Sequence, residues 1–243
     1  MPQPSKAISR SAEAYERLQQ DLISGALEAG TKLTLTVLQS RYGLGAIPLR
    51  EALNRLSAEQ FVLKHDQRGF YVPPLDASVF LEIQNARIVI ESAALAETIA
   101  TYTPEWEDRL VLVFHHLSKV AASTPNYLLS DAWATHHAAF HRELISGCKN
   151  KFLLTIAGQL YEQSARYRAR RRQIGAGSAA DQNTLIDEHR EIMNAALERD
   201  TKLATARLVE HYRCSVEVVL GETVKLCSSH LGFCRQATSS AEE

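Results

Sequence analysis

Four of the nine histidines in this 243-residue chain sit where their side chains could act together. His137 and His141 are four residues apart, in line with Leu144 and Cys148. His189 is in line with Leu185, Ile192 and Ala196, and His211 with Leu208, Ser215 and Val218. Each lies on the apolar face of a helical pattern, and an i, i+4 pair directs both imidazoles the same way. Histidines on separate helices can close a pocket inside a bundle, and imidazole nitrogen suits zinc, nickel and similar divalent ions. The same positions also suit neutral imidazoles satisfied in a core. Spacing leaves both readings open, and His115, His116 and His136 show that the chain holds further histidines.

Arginines supply the other candidate chemistry. Arg87 precedes Glu91 by one helical turn and either pairs with it or grips a carboxylate bidentately. The run from Arg166 to Arg172 reads mainly as a solvated helix end, where positive charge complements the helix dipole. Arg166 or Arg168 is the candidate to turn inward toward an anion. A metal-dependent hydrolase on a helical bundle is the rival function. Against it, the chain has no H-E-x-x-H arrangement, no nucleophile elbow and no phosphate-binding glycine loop. The expectation is therefore a non-enzyme. Cys148, Cys214, Cys227 and Cys234 fit no zinc ribbon or C-x-x-C pair and read as buried hydrophobes or exposed thiols.

The histidines need a helical scaffold, and the chain supplies one. Helical stretches are expected over about 76–101, 105–122, 127–147, 151–172, 183–199 and 201–225. Thr103-Pro104, Thr124-Pro125-Asn126 and Gly175-Ala176-Gly177-Ser178 mark breaks. Six such helices make an all-α bundle, with no strand pattern after Asp76 and a tail expected to fray after about residue 228.

The preceding residues read differently. A first helix is expected from about Ser11 to Leu27, with Tyr15, Leu18 and Leu22 on one face and Gly25 and Gly30 at its end. A second spans about Leu35 to Tyr42. A third starts at Pro48 and carries Leu49, Leu53 and Leu56. Strand-like pieces Phe61–Lys64 and Gly69–Val72 flank a turn at His65–Arg68. Three short helices and a hairpin spell a winged helix-turn-helix. Pro73-Pro74 sets the boundary, giving a DNA-binding domain at 1–74 and a helical effector-binding and dimerisation domain at 75–243. The fold class is mainly α.

A helix-turn-helix puts the start of its second helix into the major groove. That brings Ala46, Ile47, Leu49, Arg50 and Asn54 near base edges, with Thr36 on the preceding helix. Arg50 suits a guanine edge or a phosphate. Arg68 and Gly69, with Lys64, His65 and Gln67, form a wing tip that can reach the minor groove or a phosphate. Charge neither demands nor opposes this. The chain has 27 Lys/Arg against 28 Asp/Glu, while its first 73 residues carry nine against seven. No apolar run approaches the ~20 residues of a membrane helix, and the N-terminus lacks the order of a secretory signal. A cytoplasmic protein without membrane contact is expected.

The stretch Leu44-Gly45-Ala46-Ile47-Pro48-Leu49-Arg50-Glu51-Ala52-Leu53-Asn54-Arg55-Leu56 resembles the recognition-helix signature of the GntR family, and Gln67–Val72 resembles its wing. Where that family usually has Val-Ser-Arg-Thr before the proline, this chain has Leu44-Gly45-Ala46-Ile47. A base-contacting arginine is missing at 46, and Ile47 is left to meet a thymine methyl. Residues 76–225 resemble the FCD effector domain of the FadR subfamily, through Arg87-x-x-x-Glu91, Phe140-His141 with Asn150, Asp187-Glu188-His189-Arg190 with Asp200, and His211. The segment from Trp133 to Arg168 is similar to CsiR-like repressors, which govern catabolism of short dicarboxylates and related amino acids.

The resemblance implies a transcription regulator, usually a repressor, that binds double-stranded operator DNA as a homodimer. It implies a divalent metal (zinc, with nickel or manganese as alternatives) at His137, His141, His189 and His211. It implies a small carboxylate or dicarboxylate near the metal, for which bundle geometry offers Arg87, Arg166 and Arg168. His137 stands where the family usually has Asp. Either the metal keeps its full charge and draws an anion more strongly, or His137 stays unligated and three histidines leave an open position. The remaining alternative is a regulator for which the metal itself is the signal.

Overall fold

The computed structural model describes residues 9–124, 126–173 and 179–220, with the side chains of 179–184 outside the description. Helix α1 (Arg10–Ser24) opens on Ser9, whose hydroxyl accepts from the Ala12 amide. It buries Ala14, Leu18 and Leu22 and ends at Gly25, whose φ of 80° is left-handed. Then come β1 (Lys32–Leu33), α2 (Leu35–Tyr42), α3 (Ala46–Ala58), β2 (Leu63–His65) and β3 (Gly69–Tyr71). The strands form an antiparallel sheet in the order β1-β3-β2. Leu38, Leu49, Leu53, Leu56, Phe61 and Val72 join the α1 residues in one core.

Three details depart from the sequence expectation. Phe61 and Val62 are buried, not paired, because the core takes both side chains and delays β2 by two residues. Strand β1 was not expected, since two residues carry no alternation. It is held from outside, by pairing of Lys32 with Tyr71 and Leu33 with Phe70. Pro48 is the third residue of α3, where its missing amide hydrogen still costs no helical bond.

A short connector through Pro73-Pro74 leads to α4 (Ala77–Ala100), capped by Asp76. The helices α5 (Pro104–Ser123), α6 (Asp131–Leu144), α7 (Lys151–Gln173), α8 (Ala179–Leu197) and α9 (Thr201–Leu220) follow. A 3-10 turn at Tyr127–Leu129 replaces the expected start of α6. Helix α4 packs on α7 and α9, α5 on α6 and α8, and α8 on α9. Trp106, Leu110, Trp133, Phe140, Ile192 and Leu208 lie in the shared core. The Gly175–Ser178 break, the tail, Cys227 and Cys234 lie outside the described residues. Cys148 is buried, its thiol donating to Glu97, and Cys214 is half-buried.

Helix α7 also meets the N-terminal unit. Gln19 donates to Glu162 at 2.7 Å, Gln163 to the Glu59 carbonyl at 2.8 Å, and Gln173 to the Ser24 carbonyl at 2.7 Å. Gly25 is the tight point of this contact, since a Cβ there would stand 2.8 Å from Gln173 Nε2. Gly25→Ala should therefore cost about 1–2 kcal/mol from left-handed backbone alone, plus the loosened Gln173 contact. Urea denaturation of the variant measures the loss, and an unchanged midpoint would show that the helix end adapts freely.

Candidate metal centre and nucleic-acid interface

The four histidines converge. His137 and His141 come from one face of α6, His189 from α8 and His211 from α9. One ring nitrogen of each lies within 4.8 Å of the others, and all four residues are buried. Among the described residues no cysteine or carboxylate shares the cluster.

The outward nitrogens explain how four imidazoles are buried together. His189 Nδ1 lies 2.6 Å from the Leu185 carbonyl, so it must donate. His211 Nδ1 donates to Glu188 Oε2 at 2.8 Å. His137 Nδ1 is 2.9 Å from the Tyr161 hydroxyl, and His141 Nδ1 is 3.3 Å from that of Tyr212. Every Nδ1 thus has a protein partner. The Nε2 atoms of His141 and His189 are buried with none. Such an orphaned nitrogen costs about 1–3 kcal/mol, and a cation relieves it. A ligating histidine usually has its second nitrogen bonded to a carboxylate, carbonyl or hydroxyl. The donor set fits a divalent metal.

Electrostatics keep the imidazoles in the neutral form that ligates. Burial drives His137 and His141 well below 6.5, with neighbouring imidazoles and arginines adding to the effect. Burial, then His211, brings His189 to about 3, and burial, then Arg87 and Arg168, brings His211 to about 3. The His211–Glu188 contact is therefore a hydrogen bond from a neutral ring rather than an ion pair. Burial in turn raises the Glu188 carboxyl.

A cavity of about 930 Å³ adjoins the cluster, lined by His137, His141, Trp133, Tyr161, Leu154, Leu185 and Arg168 among others. His189 and His211 lie behind its wall. Arg168 donates to Ser164 Oγ at 2.6 Å and stacks on Tyr161 at 4.7 Å. Among the described residues no carboxylate pairs with it, and burial lowers its pKa. Arg166 is placed differently. Two residues apart on a helix means about 200° of rotation, so Arg166 faces away and donates to the Pro73 carbonyl at 3.0 Å. The Arg87 guanidinium is spent on Glu91 at 2.7 Å and Tyr212 at 2.9 Å and does not line the cavity. Trp133, Tyr161 and Tyr212 were not singled out in the sequence. Tyr161 stands two turns before Arg168, and that spacing was its signal.

The second candidate surface lies on the winged helix. Arg50 is exposed near the start of α3, and Ile47 is 76% exposed. Ala46 is half-buried, and Leu49 turns into the core instead of the groove. Thr36 is exposed on α2 beside Val37, which is 62% exposed and was not anticipated. Asn54 accepts from Lys64 at 3.1 Å, tying α3 to the wing. Arg68 is exposed at the tip, between Gln67 with φ 60° and Gly69 with φ 93°.

A winged helix-turn-helix joined to an all-helical domain is the architecture of a DNA-binding transcription regulator. Residues 10–72 match the family described as bacterial regulatory proteins, gntR family, and residues 82–213 match the FCD domain. The chain belongs to the GntR family and carries an FCD domain. It is 32% identical over 212 residues to the HTH-type transcriptional repressor GlaR of Escherichia coli (strain K12), covering 86% of this chain and 95% of GlaR. It is likewise 32% identical over 222 residues to the HTH-type transcriptional regulator BphR of Paraburkholderia xenovorans (strain LB400), covering 90% and 89%. The solved structure of E. coli McbR/YncC shares the fold, with a TM-score of 0.73 at 19% identity over 88% of this chain and 98% of that one. No helix among the described residues is long and apolar enough to cross a membrane.

The depressed histidines predict an acid-sensitive apoprotein. Their folded values lie below the ordinary 6.5. Between about pH 6.5 and 3 the unfolded chain therefore binds more protons. Stability is full above about 6.5 and falls as pH drops, by about 1.4 kcal/mol per pH unit for each such histidine. Urea unfolding of chelator-treated protein at pH 7.5 and 5.5 measures this. Equal stability at both would show that the rings are not buried neutral.

Proposed function

We propose that the chain is a repressor whose operator binding is set by a small carboxylate bound beside a divalent metal in the FCD domain. The observation that carries this is the convergence of four neutral imidazoles whose Nδ1 atoms are all engaged elsewhere. His137, His141, His189 and His211 would hold the metal through Nε2. An all-nitrogen set suits zinc or nickel better than manganese, which prefers oxygen. With no carboxylate among the ligands, the metal would keep its positive charge, and Arg168 adds another beside the same cavity. Both favour an anion, and the apolar wall from Trp133, Leu154 and Leu185 suits a short carbon chain.

The carboxylates near the cluster argue against hydrolysis. Glu188 accepts from His211, and Glu91 accepts from Arg87 and Tyr212. Neither is available to activate water as a general base.

Coupling would run through α7. The helix lines the cavity with Tyr161 and Arg168 and meets the winged helix with Gln163, Arg166 and Gln173. A carboxylate that favours one placement of α7 shifts the balance between DNA-competent and incompetent forms. Two half-sites read by two recognition helices imply a homodimer on an inverted repeat.

His189→Ala should retain operator binding and lose the response to carboxylate, read by fluorescence anisotropy across a panel of small mono- and dicarboxylates. A normal response in that variant, or operator release by metal alone, would overturn the carboxylate-sensor assignment. Arg50→Ala should weaken specific operator binding by about 1–3 kcal/mol without changing the melting temperature. Undiminished sequence preference would move the recognition surface elsewhere.

A further inference from the structure

Helix α4 carries a buried polar stripe, Gln84, Arg87 and Glu91, beside the histidine cluster. Arg87 and Glu91 are 1% and 2% exposed. A buried ion pair rarely adds stability over apolar residues of similar size, so its presence asks for another role. The direction of its hydrogen bonds supplies one.

The Tyr212 hydroxyl is the junction. It offers one hydrogen and two lone pairs. Its hydrogen goes to Glu91 Oε2, with the oxygens 2.5 Å apart. Arg87 Nη2 donates to it at 2.9 Å, while Arg87 Nε donates to Glu91 Oε1 at 2.7 Å. The third neighbour is His141 Nδ1 at 3.3 Å. Since the hydroxyl hydrogen is already placed on an acceptor-only carboxylate, His141 Nδ1 must be the donor. A neutral imidazole protonated on Nδ1 presents a lone pair on Nε2, the buried atom that lacks a partner.

We propose that Arg87, Glu91 and Tyr212 form a positioning unit that fixes the tautomer and orientation of His141, and so sets the metal affinity of the centre. The inference rests on the metal assignment made above. It gives Arg87 a role that needs no contact with the effector. Its other guanidinium nitrogen, Nη1, is 3.4 Å from Gln84 Oε1 and 3.5 Å from Ser164 Oγ. Ser164 also accepts from Arg168, so the unit touches the residue placed at the anion.

Two variants test it in the full-length protein. Tyr212→Phe keeps the ring and removes the acceptor for His141. Glu91→Gln keeps the shape and reverses the hydrogen flow. The Gln carbonyl accepts from Arg87 and its amide donates to Tyr212, whose hydroxyl hydrogen then turns to His141 Nδ1 and moves the imidazole proton to Nε2. Zn²⁺ affinity is read by competition with a chromophoric chelator, and folding by circular dichroism. The His141 tautomer of the metal-free protein is read by ¹⁵N-resolved imidazole NMR. The expected result is a loss of Zn²⁺ affinity of about 10–100-fold in each variant, the usual scale for a partner behind a ligand. The wild type should show the Nδ1–H form and Glu91→Gln the Nε2–H form. Wild-type affinity in a folded variant, or an unchanged tautomer in Glu91→Gln, overturns the proposal. If the wild type itself binds no Zn²⁺, the metal assignment fails, and the tautomer spectrum separately shows whether the unit still sets the ring.

Discussion

A buried imidazole must satisfy two nitrogens, and the FCD domain of this protein buries four such rings in one place. Most of its internal arrangement follows from that demand. The four Nδ1 atoms are met by three kinds of group: a carbonyl from α8, a carboxylate from the same helix, and two tyrosine hydroxyls from α7 and α9. Those partners need helices at fixed rotation and depth. The packing of α8 on α9 and of α4 on α9 provides them. The Nε2 side is left to converge, and the burial that takes His189 out of water leaves its Nε2 unpartnered at a cost.

Helix α7 is shaped by a second demand, that one helix serve two neighbours. Its cavity stripe of Gly158, Tyr161, Ala165 and Arg168 follows helical spacing. Gln163 and Arg166, from the intervening positions, reach backbone carbonyls of Glu59 and Pro73. Side-chain donors bonded to carbonyls hold position without depending on the partner's side-chain identity. The recognition helix is thus gripped just past its last turn, at Glu59, by a helix that also faces the cavity.

Much of this was legible in the residues. The apolar periodicity of α1, α2 and the FCD helices placed their spans to within a few positions, and the i, i+4 pair His137 and His141 marked the centre. What the residues concealed was mostly pairing from a distance. Strand β1 exists because β3 reaches it. Arg166 and Arg168 look equivalent in a run of arginines, and only rotation about the α7 axis sends one to the linker and the other to the cavity. Arg87 could pair locally or bind a ligand. The choice depended on Tyr212, 125 positions away, which no local pattern announces. Tyr161 and Tyr212 escaped notice for the same reason, since a tyrosine on an apolar face reads first as core.

The connector between β3 and α4 spans only residues 72–76 and includes two prolines. Pro-rich segments are stiff and extended, and a short tether keeps its two ends at an effective concentration in the millimolar range. The chain itself therefore keeps the winged helix close to α7. Contacts of this kind need little intrinsic strength. The few polar bonds from α7 would be negligible between separate molecules, yet on so short a leash they count toward how the reading head sits.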